Sequence, residues 1–511
     1  MIDSRRRERQ RRQRPSEAKI DQLPFEQVEN PFSPIDILSE DQLNRIHHAS
    51  LDVLEEIGIN FLLDEAREIL SIAGADVEKN STRVRFDRNL ILESIANAPS
   101  EFTIHARNPQ RNLKIGGRWL AFSTVAGPPN ASDIQGGRRS GNFKDYSDFI
   151  KLAQSVNIAH VISGHPVEPL DLDPKTRHLD TARVNLTLTD KVCRVYSLGR
   201  DRVMDSLEIT RICHSLSREE LAHRPSLYTV VNVNSPLQYD IPMLWGIIEL
   251  ARMNQVVVIT PFTLAGAMAP ITLAGAVTQQ NAEALAGLAF SQIVNPGAPV
   301  MYGGFTSNVD MKTGSPAFGT PEYVKATLMG GQFARFYNLP YRSSNVNASN
   351  APDVQATYES QMSIWGSVMA RANLIHHALG WLEGGLCASF EKFVMDAEML
   401  QGVVETLKPV VVDEDTLGVE AMREVGPGGH YFAAQQTMER YETEFYKPIL
   451  SDWRNFETWF EDGAKDATTR ANQIYQQLLS EYEAPKVDEA ILQELDEYIE
   501  ITRMERRKAP V

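Results

Sequence analysis

The chain has 511 residues, 42% of them hydrophobic and 23% charged, and a formal net charge of -16. That composition is ordinary for a soluble globular protein with room for two or three domains, and the acidic balance argues against nucleic acid as the main partner. Three widely spaced cysteines (Cys193, Cys213, Cys387) without a CxxC supply neither a disulfide framework nor a zinc cluster, so a cytoplasmic protein is expected.

Residues 1–35 read as a basic arm and linker. SRRRERQRRQRP carries seven arginines between Arg5 and Arg14, and no apolar run follows, which excludes a signal peptide. A solvated, disordered arm is expected there. Residues 36–117 are predicted as a helical N-terminal region. In LSEDQLNRIHHASLDVLEEIG, Ser39 precedes Gln42 by three residues, a capping box, and Leu43, Ile46, Leu51 and Leu54 follow at helical spacing. Two more helices are predicted near 63–73 and 88–97.

From 118 to 408 short apolar runs alternate with helical ones. The runs are 119–126, 159–166, 191–199, 226–234, 256–262, 299–305, 341–347 and 374–381, mostly rich in β-branched or aromatic residues. Eight strands separated by helices predict an α/β fold, a (β/α)8 TIM barrel with helical N-terminal and C-terminal extensions. An open doubly wound sheet is the rival, but no GxGxxG opens a helix after a first strand. The uncharged stretch VVVITPFTLAGAMAPITLAGAV (256–277) is long enough to cross a membrane. Pro261, Pro270 and Gly266 would break such a helix, so it is read as a buried strand, a turn and a helix start. Phe390, Phe393, Val394, Ala397, Leu400 and Val404 form one helical stripe, the eighth barrel helix. Residues 409–511 read as a helical C-terminal region interrupted by GPGGHY.

A barrel of this type places its chemistry at the C-terminal ends of the strands. That rule selects loops holding His165, Phe262, Phe305, Asn345 to Asn350, Trp381 and Glu383, mostly Asn, Ser, Gly and aromatic residues. Such a rim suits positioning more than proton transfer. HExxH, GxSxG and Walker motifs are absent, and a metal-dependent hydrolase lacks ligands, so no metal is expected. His376 and His377 are adjacent in one strand, so one of them faces inward, as a satisfied core histidine or a site residue. Glu383 could offset a cation or cap the following helix. Phe262, Phe305 and Trp381 could be core, or the faces of a quaternary ammonium cage.

At these loops the sequence resembles the trimethylamine:corrinoid methyltransferase family. The resemblance is carried by GWLEGGLCASFEKFVMDAEML, SSNVNASNAPDVQATYES, YGGFTSNVDMKTGSPAFGTPEYVKAT, GPGGHYFAAQQTMERYETEFYKPILSDW, LSEDQLNRIHHASLDVLEEIGI and LTLTDKVCRVYSLGRDR. It spans residues 36 to 483. It implies a (β/α)8 barrel and a reaction in which the Co(I) of a separate corrinoid protein takes a methyl group from an amine. Cobalt is then the nucleophile, and the enzyme holds and aligns the donor.

Members acting on trimethylamine carry pyrrolysine in a loop like SSNVNASNAPD, and the matching position here is Asn350. Asparagine has no electrophilic imine, and a quaternary amine, already charged, needs none. The resemblance therefore implies the branch without pyrrolysine, typified by glycine betaine:corrinoid methyltransferase. On that reading Glu383 and Asn350 are the catalytic candidates. Phe305, Trp381, Asn345, Asn347, His377 and His165 are the substrate-binding ones. No cofactor is bound tightly by the chain itself, the methyl acceptor being the cobalamin-type corrinoid of the partner protein. The partners expected are that corrinoid protein, a small quaternary amine and a second copy of the chain in a homo-oligomer, with no nucleic acid and no membrane. A tertiary-amine enzyme and a non-catalytic betaine- or corrinoid-binding barrel are the alternatives. Gln436 stands where related sequences carry histidine, and His430 is kept; if that segment covers the mouth, the change bears on substrate choice.

Overall fold

The computed structural model describes residues 20–508; the arginine-rich stretch lies outside them. Eight parallel strands close on themselves. They are β1 (Trp119–Thr124), β2 (Val161–Ile162), β3 (Val192–Val195), β4 (Tyr228–Val233), β5 (Val256–Ala265), β6 (Val300–Gly303), β7 (Tyr341–Ser344) and β8 (Leu374–Leu379). Each pairs with the next, and β8 pairs with β1 through Leu374↔Ala121 and Ile375↔Phe122. The TIM barrel expected from the run spacing is therefore present, and the doubly wound rival is not.

The helices α1 (Phe143–Ser155), α2 (Arg177–Leu188), α3 (Arg200–Cys213), α4 (Ile241–Arg252), α5 (Leu273–Val294), α6 (Pro321–Phe336), α7 (Val354–Met369) and α8 (Phe390–Leu407) follow the strands in turn. Several open on a polar residue whose side chain accepts from the first turn: Asn142, Asp240, Thr272, Thr320, Asp353 and Ser389. Helix α5 is buried over most of its circumference, because Glu40–Asp52, Asp64–Ile72 and Arg88–Ile95 pack across its outer face. The Ser39/Gln42 capping box is present. The apolar stretch from Val256 forms β5, a turn and the start of α5, and no helix among the described residues is long and apolar enough to cross a membrane.

Strand parity separates two cores. Ala121, Val161, Val192, Tyr228, Val256, Val258, Met301 and Leu374 point into the lower barrel. An antiparallel hairpin, Glu101–Ile104 with Leu113–Gly116, plugs that end with Ile104, Leu113 and Ile115. The alternate residues face the helices and join the larger outer cluster.

Three features differ from the sequence expectation. Residues 20–35 are no free linker: Val28 and Glu29 pair with β1, and the Asn30 amide donates to Val368 O at 2.8 Å. The N-terminal region contains the plug hairpin and a small sheet (Ile59–Phe61, Asp76–Val77, Arg83–Arg85) as well as helices. These strands have two to four residues, too short for alternation to be visible. Beyond α8 only Ala467–Ser480 and Glu489–Lys508 are long helices, packed on α1 and α8 and on α2 and α3.

Candidate active site at the barrel mouth

Strand β6 breaks at Gly303–Gly304, where a Cβ on Gly303 would stand 2.2 Å from Thr260 Oγ1. The chain resumes as Phe305–Val309 along the upper half of β5, which sets Phe305 opposite Phe262. Around Phe305 lie Phe262 at 5.2 Å between ring centroids, Phe318 at 5.5 Å, His377 at 6.0 Å and Trp381 at 6.3 Å. His377 and Trp381 are 4.4 Å apart. This aromatic box sits above the mouth-side end of the inward-facing barrel residues.

The asparagines of the β7 loop hold the box in place. Trp381 Nε1 donates to Asn347 O at 3.0 Å, and Asn347 Nδ2 returns a bond to Trp381 O at 2.8 Å. Gly385 closes beneath the indole: with φ +97° and a hypothetical Cβ 2.6 Å from Trp381 Cη2, no other residue fits. Strand β8 changes register between Ile375 and Leu379, and His377 adopts φ +56°, costly for a non-glycine residue. Asn345 spans that bulge, its N–H donating to His376 O at 2.8 Å and its Nδ2 to Ala378 O at 3.3 Å. The bulge turns both histidines to useful positions. His376 lies deeper, within reach of Ser163 Oγ (3.3 Å) and Tyr228 OH (3.2 Å). Burial, then the nearby Arg342 charge, pushes both imidazoles well below their ordinary value, so both are neutral.

Beneath the box lies a feature the sequence reading passed over. Arg342, second residue of β7, is 2% exposed, and its Nε and Nη1 have no hydrogen-bond partner. Its guanidinium carbon lies 5.6 Å from the Phe305 centroid. Arg194 of β3 is also buried; its Nη1 reaches Ser163 O at 3.4 Å, its guanidinium covers Tyr196 at 4.6 Å and its Nε is unpartnered. Among the described residues neither guanidinium has a carboxylate within 4.0 Å. Burial lowers the Arg342 pKa to about 10, so it remains a cation at neutral pH. Arg342 is thus a buried cation without a counter-ion, which is expensive in a protein interior unless an anion arrives. The sequence signal was an arginine inside a strand with otherwise uncharged neighbours.

The other expected residues are placed as follows. Glu383, at φ +54° after β8, accepts from Arg138 Nε through both oxygens at 2.9 Å; Arg138 belongs to the hairpin Asn130–Asp133/Gly137–Ser140 over the mouth. Asn350 is exposed on its loop, whose neighbouring N–H groups, Ala348 and Ser349, donate to Glu359. His165 is buried outside the box, its Nδ1 against Glu168 at 3.0 Å and its Nε2 against Thr181 at 3.1 Å. Gln436 donates to Asp415 O within the C-terminal region.

The fold and the site together define a (β/α)8 barrel enzyme whose aromatic box lies over the buried Arg342 guanidinium, with His376 and His377 both neutral beside it. The chain belongs to the trimethylamine methyltransferase (MTTB) family, which it matches over residues 4–509. It is 36% identical over 464 residues to the glycine betaine methyltransferase of Desulfitobacterium hafniense (strain Y51), covering 91% of this chain and 96% of that one. It is 28% identical over 472 residues to trimethylamine methyltransferase MttB2 of Methanosarcina mazei, covering 91% and 95%. A solved structure, the hydroxylamine MtmB complex, aligns with a TM-score of 0.49 and 10% identity over 89% of this chain and 97% of that one.

Proposed function

We propose that this chain transfers a methyl group from a carboxylate-bearing quaternary amine, a betaine of the glycine betaine type, to the Co(I) of a partner corrinoid protein. The observation that carries this reading is the buried, unpaired Arg342 directly beneath the Phe305 ring. A betaine places a carboxylate and a trimethylammonium group about one carbon apart. With its carboxylate on Arg342 and Arg194, the ammonium enters the box of Phe305, Trp381 and His377, whose π faces favour a cation, and a methyl group points outward. Choline lacks the anion, and trimethylamine lacks both the anion and the permanent charge.

In the reaction the electron pair of Co(I) forms the Co–CH3 bond while the N–CH3 bond breaks. Its electrons stay on nitrogen, which leaves as a neutral tertiary amine. No proton moves, which agrees with two neutral histidines and no activated carboxylate in the box. The chain's part is to fix donor geometry, exclude water and hold the leaving amine in line. In this reading Asn345 and Asn347 act through His377 and Trp381. Glu383, paired with Arg138, holds the hairpin over the mouth and presents negative charge to the ammonium.

The test is single-turnover methylation of reduced cob(I)alamin, followed by absorbance, with glycine betaine, carnitine, choline and trimethylamine. Methylcobalamin from a betaine and not from choline or trimethylamine is expected. Methylation by trimethylamine would favour the tertiary-amine alternative. A betaine that raises the melting temperature without turnover would favour a binding protein.

A further inference from the structure

We propose that the rim of the barrel mouth carries a second site, between the loops after β2 and β3, that takes a tetrahedral oxyanion such as inorganic phosphate or sulfate. A cavity of about 70 Å³ opens there, lined by Glu168, Arg177, His178, Arg194, Tyr196 and Arg202 among others. Neither the residues of the aromatic box nor Arg342 borders it. Tyr196 directly follows β3, and Arg177 and Arg202 stand in the first turns of α2 and α3, so the cavity lies at the mouth end of the barrel. A single water needs only about 10–15 Å³, so the cavity has room for a compact ion.

The charges on its wall do not balance. Three guanidiniums face one carboxylate, Glu168, and His165 Nδ1 already claims that group at 3.0 Å. Arg177 reaches Glu168 only at 4.0 Å. Arg202 donates to Pro174 O at 2.8 Å and, among the described residues, has no carboxylate within 4.0 Å. Burial, then the Arg177 charge, pushes the Arg202 pKa below its ordinary value, as expected for two guanidiniums sharing one space. Arg194 is 8% exposed with Nε unpartnered, and its charge acts on Glu168 on this side and on Arg342 on the other. His178 donates from Nε2 to Asp205 at 2.9 Å, and its buried Nδ1 has no partner. A protonated His178 beside that carboxylate would offer Nδ1–H to an anion.

The backbone points the same way. Helices α2 and α3 both begin at this rim, and neither Thr176 nor Gly199 supplies a side-chain cap, unlike the six capped barrel helices. An anion at a helix start does the work of the missing cap. The shape of the anion follows from the donors. Guanidiniums arrive from α2, α3 and β3, and each matches a pair of oxygens. A tetrahedral oxyanion presents oxygens to all three, whereas a carboxylate has only two to share.

The experiment is calorimetric titration of phosphate into the full chain, and into its Arg202→Met and Arg342→Met variants, at constant ionic strength. The wild type is expected to bind phosphate with a dissociation constant of about 1 mM or tighter. Arg202→Met should weaken this at least about tenfold, the loss of one charge-assisted contact, while Arg342→Met keeps the wild-type value. Removing Arg202 relieves its repulsion by Arg177, so the variant is expected to fold. If it does not melt cooperatively, Arg177→Met replaces it with the same expected loss. A wild type that binds no phosphate up to about 10 mM, ten times the expected constant, overturns the proposal, as does a folded Arg202→Met that binds like the wild type. Loss of binding in Arg342→Met also overturns it, because the anion would then lie in the chamber under the box. No arm of the test uses a methyl donor or a corrinoid, so its failure and that of the betaine reading are separate.

Discussion

Replacing Arg342 by methionine separates binding from stability in opposite directions. Burial lowers the Arg342 pKa to about 10, and the gap from an ordinary guanidinium corresponds to a cost of about 3 kcal/mol for keeping the charge inside the fold. Folded and unfolded chains both carry the proton at neutral pH. The cost is therefore present throughout that range and fades only as the pH climbs through the folded value near 10. Met has similar length and removes the charge, so the ligand-free variant should be more stable. For a chain of this size 3 kcal/mol corresponds to a rise in melting temperature of roughly 3 °C, at about 2 cal/mol/K of unfolding entropy per residue. Binding should move the other way. Charge-assisted hydrogen bonds to a buried carboxylate contribute roughly 1.5–3 kcal/mol each, so kcat/KM for a betaine should fall about 100-fold and the betaine-induced rise in melting temperature should vanish. Differential scanning fluorimetry with and without glycine betaine, together with cob(I)alamin methylation, reads both effects. A variant that melts lower and still turns over betaine normally would show that Arg342 is neither a burden nor an anchor.

Phe305→Leu keeps apolar volume and removes the ring facing the ammonium; kcat/KM should drop about tenfold, as expected for a cation–π contact of 1–2 kcal/mol, and an unchanged value would place the cation elsewhere. Glu383→Gln should weaken methyl transfer with little change in melting temperature, because its pair with half-exposed Arg138 contributes at most about 1 kcal/mol; unaltered kinetics would remove Glu383 from the mechanism. Lys392 and Asp396 form a buried ion pair, and Asp396 also accepts from the Gly380 N–H at 2.8 Å. Lys392→Met strands the carboxylate and should cost about 3–5 kcal/mol in denaturant unfolding, whereas a mild effect would mean that Asp396 is readily protonated. Glu283 accepts from Ser235, the Leu237 N–H and Gln279, and burial lifts its pKa to about 6. The folded state binds this proton more readily than the unfolded chain, so wild type should gain on Glu283→Gln as pH falls from 6 toward 4.5, by about 2 kcal/mol in total. Parallel melting curves against pH would refute it.

The linear pattern determined the barrel. Runs such as SLYTVVNVN and VVVITPF are buried on both faces, so their composition alone marks central parallel strands, and their spacing counts eight. Polar loops at strand ends likewise pointed to Phe305, Trp381 and the Asn345–Asn350 segment, because in this architecture position along the chain fixes which end of the barrel a loop serves. Other features depended on three-dimensional placement. The short strands of the plug and of the N-terminal sheet gain stability from partners distant in sequence, so no local periodicity records them. His165 and His377 look alike as strand-end histidines, yet Glu168 and Thr181 satisfy one while a two-residue register shift in β8 turns the other toward Trp381. Arg342 shows the difference most plainly. Its sequence neighbours say only that it lies in a strand, whereas its missing counter-ion is a property of seven other strands, none of which brings a carboxylate within reach. Pattern and spacing fix which residues can be buried; only the closed barrel decides which buried charge is left without a counter-ion.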